Sequence, residues 1–248
     1  MFIHEAIFNL TINEAKERTI TDVRIGLGYT LVELDNTIAG LSYSFYSQLN
    51  PRNCTVLQEA GELIGKKADF LLDKIFSYNL LDSALALAVA NAIINSKEIK
   101  DEKIDIVSTI TNKDKVVMVG YFSPLIEPIK KKAAQLVVCD RTLREESLPD
   151  YAEYFELKDA DVAILTATSI INKTIDNLLE MIKKARVIAI MGPSTPMNCS
   201  IFNRNIYLMG SIITDIPKAK EIISQGGGTQ KLKPAVKKIS VKCKGGVK

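Results

Sequence analysis

The rhythm of hydrophobic positions changes once along this chain. In the first part, Ile3, Ala6, Ile7 and Leu10 fall on one helical face, which predicts a short amphipathic helix over residues 2–16. Val23, Ile25, Leu27, Tyr29 and Leu31 then alternate with smaller or more polar residues. Asp35-Asn36 is a turn signal, and Leu41, Tyr43 and Phe45 resume the alternation, so a hairpin or three-stranded antiparallel meander is expected. Gly61 and Gly65 bracket a bend. A helix is predicted from Ala68 to Phe76 and a longer one from Leu80 to Asn95, with Asn79 as its N-cap. The Ala-rich stretch Ala84 to Ala92 requires close packing, and strands followed by helices make this half α+β.

Residues 96–115 are charged and are broken by one apolar stretch, Ile104 to Ile110. The domain boundary is placed here, with an α+β domain over residues 1–100 and an α/β domain over residues 101–248. Past it come five short apolar runs: Val116–Val119, Leu136–Cys139, Val162–Leu165, Val187–Met191 and Ile206–Met209. Helical stretches separate most of them, the clearest from Thr174 to Lys184, and this alternation predicts a mostly parallel sheet. In such sheets ligands bind beyond the carboxyl ends of the strands, where Gly120, Asp140, Thr166 and Gly192 stand.

The most constrained of these turns is Gly192-Pro193-Ser194-Thr195-Pro196. Gly192 allows a close backbone approach, and the two prolines fix φ and hold the preceding residues extended. Thr195 before Pro196 reads as an N-cap followed by the first helical position. Two hydroxyls at a positive helix end suit an anion, and the turn is expected to floor a ligand site. The alternative is a capped strand-to-helix turn that binds nothing.

Other constellations join it. Asp140 follows Gly120 by twenty residues, the spacing that puts an acid on a ribose hydroxyl, yet the turn at Gly120-Tyr121-Phe122 lacks the further glycines of a dinucleotide fold. Thr166, Thr168 and Asn172 form a third polar turn, which helix capping alone also explains. Gly227 lies in a triple-glycine run after the helix from Pro217 to Gln225 and offers a backbone approach to a ligand. Asn91 sits in the most apolar helix, where it must find hydrogen-bond partners, either at a domain interface or between helices. Gly26-Leu27-Gly28 and Gly61 to Lys66 do not complete nucleotide-binding motifs.

Composition narrows the classes. The chain of 248 residues is 47% hydrophobic and 25% charged, as for a soluble protein with a sizeable core, and its net charge is +3. Seven lysines and no acid follow Gln225, so the rest of the chain is not basic. This tail carries no aromatic residue and is expected to be a solvated terminus, so nucleic acid is not an expected partner. The longest apolar run, Ala84 to Ala90, is too short to span a membrane, and the N-terminus lacks the basic start of a signal peptide. Cysteines 54, 139, 199 and 243 show no disulfide-like spacing, which predicts reduced thiols in a cytoplasmic protein. Cys199, in the first turn of the helix expected after Pro196, is read as a buried cysteine, with a thiolate nucleophile or soft-metal ligand as the alternative. His4 is the single histidine and lies near the N-terminus, which argues against a serine-protease-like triad, and no spacing supports a Cys/His zinc site.

These residues resemble a known family, named for "putative heavy-metal chelation". The resemblance rests on Val119-Gly120-Tyr121-Phe122, on Thr166, Thr168 and Asn172, and on the Gly192 to Pro196 loop. It extends to Gly40-Leu41-Ser42-Tyr43 and to Ala88 through Ala92. It implies an enolase-N-terminal-like first domain, a Rossmann-like second domain and a cleft between them. It further implies binding of a heavy metal, or of a small molecule that chelates one. Ala167 stands where the family has glycine, which narrows that turn. Because histidine is scarce, hard oxygen ligands or a ligand that carries its own metal are the open routes. The expected partner is thus a small anionic molecule, a metal ion or a metal chelate. Alternatives are a nucleotide-dependent enzyme using Asp140 and an interaction protein using its basic tail. The oligomeric state stays open, a homo-oligomer included.

Overall fold

The computed structural model describes residues 1–49, 55–142, 144 and 146–245. Cys54 therefore lies outside the described residues. Helix α1 (Ile3–Glu17) leads into strands β1 (Ile20–Ile25), β2 (Tyr29–Leu34) and β3 (Ile38–Tyr43), an antiparallel meander in the order β1-β2-β3. Asp35 and Asn36 take φ of 51° and 56°, the left-handed backbone that tight hairpin turns favour and that these two residue types tolerate. Leu10, expected on the buried face of α1, is 42% exposed. The buried stripe runs through Ile3, Ile7, Thr11 and Ala15 instead. Spacing of four residues advances about 40° per step on a 3.6-residue helix, and this drift leaves Leu10 outside.

Residues 68–76 do not form one helix. They divide into α2 (Asp69–Leu72) and a 3-10 turn over Asp73–Phe76. Helix α3 (Leu80–Asn95) begins where expected, with the Asn79 side chain accepting from the N–H groups of Leu81 and Asp82 at 2.9 and 3.2 Å. It is buried nearly all round, packing on β2 and β3 on one side and on α1 and α2 on the other. Gly40 of β3 makes this approach feasible, because a Cβ there would stand 2.1 Å from the Ala88 carbonyl oxygen and 2.2 Å from the Ala92 nitrogen. Alanine on the helix and glycine on the strand thus set the spacing of the two layers.

The second half alternates β4 (Lys115–Val119), α4 (Ser123–Lys130), β5 (Gln135–Cys139), α5 (Glu153–Glu156), β6 (Val162–Thr166), α6 (Thr168–Ile171), α7 (Ile175–Met181), β7 (Val187–Met191) and β8 (Ile206–Ile213). Helices α8 (Ile216–Ser224) and α9 (Thr229–Leu232) and strand β9 (Val236–Cys243) complete it. The sheet order is β5-β4-β6-β7-β8-β9. Val116 lies opposite both Leu136 and Val162, and Val162 lies opposite Val187, all in parallel pairs. The five apolar runs therefore share one parallel sheet. The fold is mixed α/β, with a mostly parallel six-stranded sheet and an antiparallel three-stranded one. The chain passes from β4 outward to β5 and returns to β6 on the other side, so the topological switch point lies between β4 and β6.

The Lys-rich stretch is not a solvated terminus. Its residues form α9 and β9, and β9 runs antiparallel to β8 over Val236 to Cys243. Alternation hides in Val236-Lys-Lys-Ile-Ser-Val-Lys-Cys because the lysines point outward from an edge strand. The segment 101–104 lies along the free edge of β9. Glu102 N–H donates to the Ser240 carbonyl at 2.8 Å, and Ser240 N–H donates to Asp101 Oδ1 at 3.0 Å. Lys242 N–H donates to Glu102 Oε1 at 3.3 Å.

Two further expectations change. No helix follows Pro196: Gly192 to Thr195 is a tight turn, closed by Thr195 N–H on the Gly192 carbonyl at 3.0 Å, and Pro196 to Asn198 is irregular. The segment stays extended because α3 claims its polar groups. Asn95 donates to the Thr195 carbonyl at 3.2 Å and accepts from Met197 N–H at 2.9 Å. Asn91 donates to the carbonyls of Leu41 at 2.8 Å and Ser194 at 3.0 Å, while Tyr43 N–H donates to Ser194 Oγ at 2.9 Å. Nor are all the thiols reduced. Cys199 and Cys243 form a disulfide across 44 residues, since the antiparallel return of β9 brings the chain back beside the 3-10 turn Cys199–Ile201. Cys199 is consequently neither a free thiolate nor a metal ligand.

Asn95→Ala removes three buried hydrogen bonds, to Thr195, Ser211 and Met197, and strands the Met197 N–H, and is expected to cost about 2–4 kcal/mol. Chemical denaturation should show this loss, with Asn95→Asp recovering only part of it. Reduction of the disulfide, or Cys243→Ser, is expected to cost about 4 kcal/mol from the loop entropy alone. Urea midpoints with and without a dithiol reductant measure it.

Candidate functional site

A cavity of about 1210 Å³ opens beyond the carboxyl ends of the parallel strands, over the switch point between β4 and β6. Its floor is made by the turns after those strands. Gly120 ends β4 with φ of 90°, and Thr166 of β6 comes so close that a Cβ at Gly120 would lie 2.9 Å from the Thr166 Cβ. Gly192 ends β7 with φ of 123°, and nothing lies within 4 Å of where its Cβ would be. Glycine is needed at Gly120 for both backbone and space, and at Gly192 for backbone only. Tyr29, Tyr43 and Phe45 enter the same cavity from the three-stranded sheet and the segment after it. Tyr43 stacks edge-on with both Tyr29 and Phe45. Tyr29 Oη shares a hydrogen bond with Thr229 Oγ1 at 2.7 Å, and burial pushes its phenol pKa up.

Of the residues singled out in the sequence, Gly120, Asp140, Thr166, Thr168, Asn172, Gly192, Pro193 and Ser194 line this cavity. The structure places the other three elsewhere. Asn91 is fully buried behind Ser194, and Thr195 is fully buried with its hydroxyl donating to the Gly192 carbonyl at 2.7 Å. Gly227 serves packing, since a Cβ there would stand 2.4 Å from the Ile222 side chain, while its N–H donates to the Ile222 carbonyl. Gly228 and Thr229, one and two residues on, do reach the cavity. Much of the polar chemistry at the strand ends is local. Thr166 and Thr168 share a hydrogen bond at 2.9 Å, Asn172 accepts from the Thr174 N–H and hydroxyl, and Asp140 accepts from Thr142 N–H at 2.8 Å.

Several cavity residues carry no motif in the sequence. Arg141, Arg144, Asp150, Tyr151, Glu153 and Tyr154 all come from the long crossover between β5 and β6. Arg144 stacks on the Tyr121 ring at 4.8 Å, and Arg141 pairs with Asp150 at 3.2 Å. Lys103, Lys231 and Lys238 are exposed on the side toward β9. None of the three belongs to an ion pair among the described residues. The regular spacing of Asp150, Tyr151, Glu153 and Tyr154 on one helical turn was the single available signal for the first group.

Among the described residues, neither the histidine nor the cysteines offer a ready soft-metal ligand. His4 is buried with Nε2 against the Ile170 carbonyl at 2.6 Å, and burial, aided by Lys173, lowers its pKa. Cys199 and Cys243 are paired. Cys139 is fully buried, and burial, reinforced by nearby carboxylates, pushes its thiol up to about 12. Among the described residues, no three His, Cys, Asp or Glu side chains converge as a metal site. A bare heavy-metal ion does not fit the donors in this cavity. No helix among the described residues is long and apolar enough to cross a membrane.

Residues 102–242 match a sequence family described as "putative heavy-metal chelation", and residues 8–94 match a second family with the same description. An uncharacterized protein of Methanocaldococcus jannaschii is 23% identical over 188 residues, 72% of this chain and 73% of that one. Two crystal structures of proteins of unknown function from the first of these families share the fold. The one from Desulfitobacterium hafniense DCB-2 has 20% identity and a TM-score of 0.79, covering 96% of this chain and 98% of its own. The one from Pyrococcus horikoshii has 21% identity and a TM-score of 0.84, covering 97% of this chain and 100% of its own. The family match spans more than half of the sequence and includes each of the strand-end turns that floor the cavity, so this chain belongs to the family described as "putative heavy-metal chelation".

Proposed function

We propose that this protein binds a small anionic molecule, free or as a metal chelate, in an interdomain cleft formed by the large cavity. The observation that carries the reading is the cavity wall itself. It joins aromatic rings from the first half, strand-end turns from the second and three lysines without carboxylate partners among the described residues. Such lysines attract anions before contact and can discharge a carboxylate or phosphate on arrival. The volume, about 1210 Å³, is more than a bare ion or inorganic phosphate requires and suits an organic ligand. Because His4, Cys199 and Cys243 are engaged and burial holds Cys139 as a thiol, the metal of a chelate would keep the donors of its organic ligand. The family description then refers to a complex recognised as a whole.

A nucleotide-dependent reaction has less support. Asp140 does line the cavity beside Gly120, but Tyr121 with Arg144 stacked on it crowds the turn where a pyrophosphate would lie. Native mass spectrometry with elemental analysis of the purified protein should detect a co-purified organic ligand, with metal only in proportion to it. Citrate and its nickel(II) complex are suitable probes for calorimetry. Both are expected to bind, and Lys231→Glu with Lys238→Glu should weaken each at least about tenfold by reversing rim charge. Stoichiometric binding of nickel(II) alone, with no binding of either probe, would sink the reading.

A further inference from the structure

Among the residues that the crossover between β5 and β6 presents to the cavity are Asp150, Tyr151, Glu153 and Tyr154. Two of them are carboxyls three residues apart, and their surroundings differ. Asp150 is paired with Arg141 at 3.2 Å. Glu153 is half-buried, and no cation of the described residues lies in ion-pair range of it. The charged and titratable groups around it are few. Asp150 stands on the preceding turn, Arg141 is already engaged, and the buried Cys139 thiol lies on β5. Glu156, on the same helix, is paired with Lys115 of β4 at 2.7 Å. The two paired cations near it, Arg141 and Lys115, are held by Asp150 and Glu156, and Lys158 lies over the Tyr154 ring at 3.7 Å. Burial, and then the charge of Asp150, push the Glu153 carboxyl up to about 7, with Arg141 opposing.

We propose that Glu153 is the proton-donating anchor of this cavity, giving an O–H hydrogen bond to an oxyanion of the bound ligand. The proposal rests on the anion-binding reading above and adds the group that meets the anion at the end of the cavity away from the lysines. A carboxylate there would repel an anion, whereas a neutral carboxylic acid donates to it. Binding above neutral pH thus takes one proton from solvent onto Glu153. That proton stays on Glu153, shared with the ligand oxygen, and returns to solvent on release. No other bond is made or broken.

Sulfate tests this directly, because it does not titrate between pH 6 and 8. Calorimetry in buffers of different ionisation enthalpy should show proton uptake approaching one per site at pH 8 and fading toward pH 6. Affinity should fall about tenfold per unit above pH 7. Glu153→Gln keeps a neutral donor, so it should bind sulfate at pH 8 without proton uptake and with a flat pH profile. If sulfate binds and the uptake persists in Glu153→Gln, or is absent in both proteins, the anchor role falls and the anion site stands. If neither sulfate nor citrate binds, the anion site falls and the anchor with it. A second measurement needs no probe. Because the folded-state pKa is raised, the stability Glu153 gains from its proton is full below its ordinary value and is lost as pH rises through about 7. Wild type should lose stability relative to Glu153→Gln across that window, and a constant difference overturns the proposal.

Discussion

The structure depends on one buried helix that bonds to backbone from both halves of the chain. Helix α3 is apolar almost throughout, yet it places Asn91 and Asn95 one turn apart on the same face. Their amides bond to the carbonyls of Leu41, Ser194 and Thr195, and Met197 N–H returns a bond to Asn95. Buried amides left unpaired would be expensive, so the two halves are held in one register or not held at all. The arrangement is not perfectly closed. Asn91 Oδ1 and Ser42 Oγ are buried without a partner among the described residues. The hydrophobic contacts of α3 supply most of the burial, and the amides decide where the strand-end turn of β7 sits.

Local signals in the sequence were reliable wherever the chain obeys local rules. Asn79 caps α3 because a short polar side chain beside an apolar helix has little else to do. Asp35-Asn36 turns because both tolerate a left-handed backbone. The five apolar runs pair in parallel because strands covered on both faces must be apolar throughout. Signals failed where a distant partner took over. Thr195-Pro196 has the chemistry of a helix start, but Asn95 captured the backbone that a helix needs. Cys199 and Cys243 show no spacing rule because the strand joining them turns back only in three dimensions. β9 was obscured by its own lysines, whose charge reads as disorder when the neighbour strand is unknown.

The candidate site was legible at its floor and not at its walls. Turns after parallel strands announce themselves through glycine, proline and hydroxyl residues, and the fold rule says where they gather. The walls come from β2 and β3 and from the β5–β6 crossover, whose tyrosines and charges look like ordinary surface in one dimension. Even on the floor, residue type misled in part. Ser194 and Thr195 are spent largely on the protein's own backbone, leaving the lysines and Glu153 as the groups with chemistry to spare.

The clip formed by residues 101–104 on β9 bears on how copies of this protein meet. An edge strand normally presents a row of free N–H and C=O groups that another strand can read. Here Ser240 and Lys242 already use theirs on Asp101 and Glu102. At the opposite edge, Leu148 bridges the end of β5, donating to the Val138 carbonyl and accepting from Asp140 N–H. Both margins of the six-stranded sheet are thus occupied, at these positions, by the chain's own connecting segments. Growth of the six-stranded sheet from one molecule into the next would first have to strip those segments away, so its margins are guarded at these positions against backbone pairing between copies.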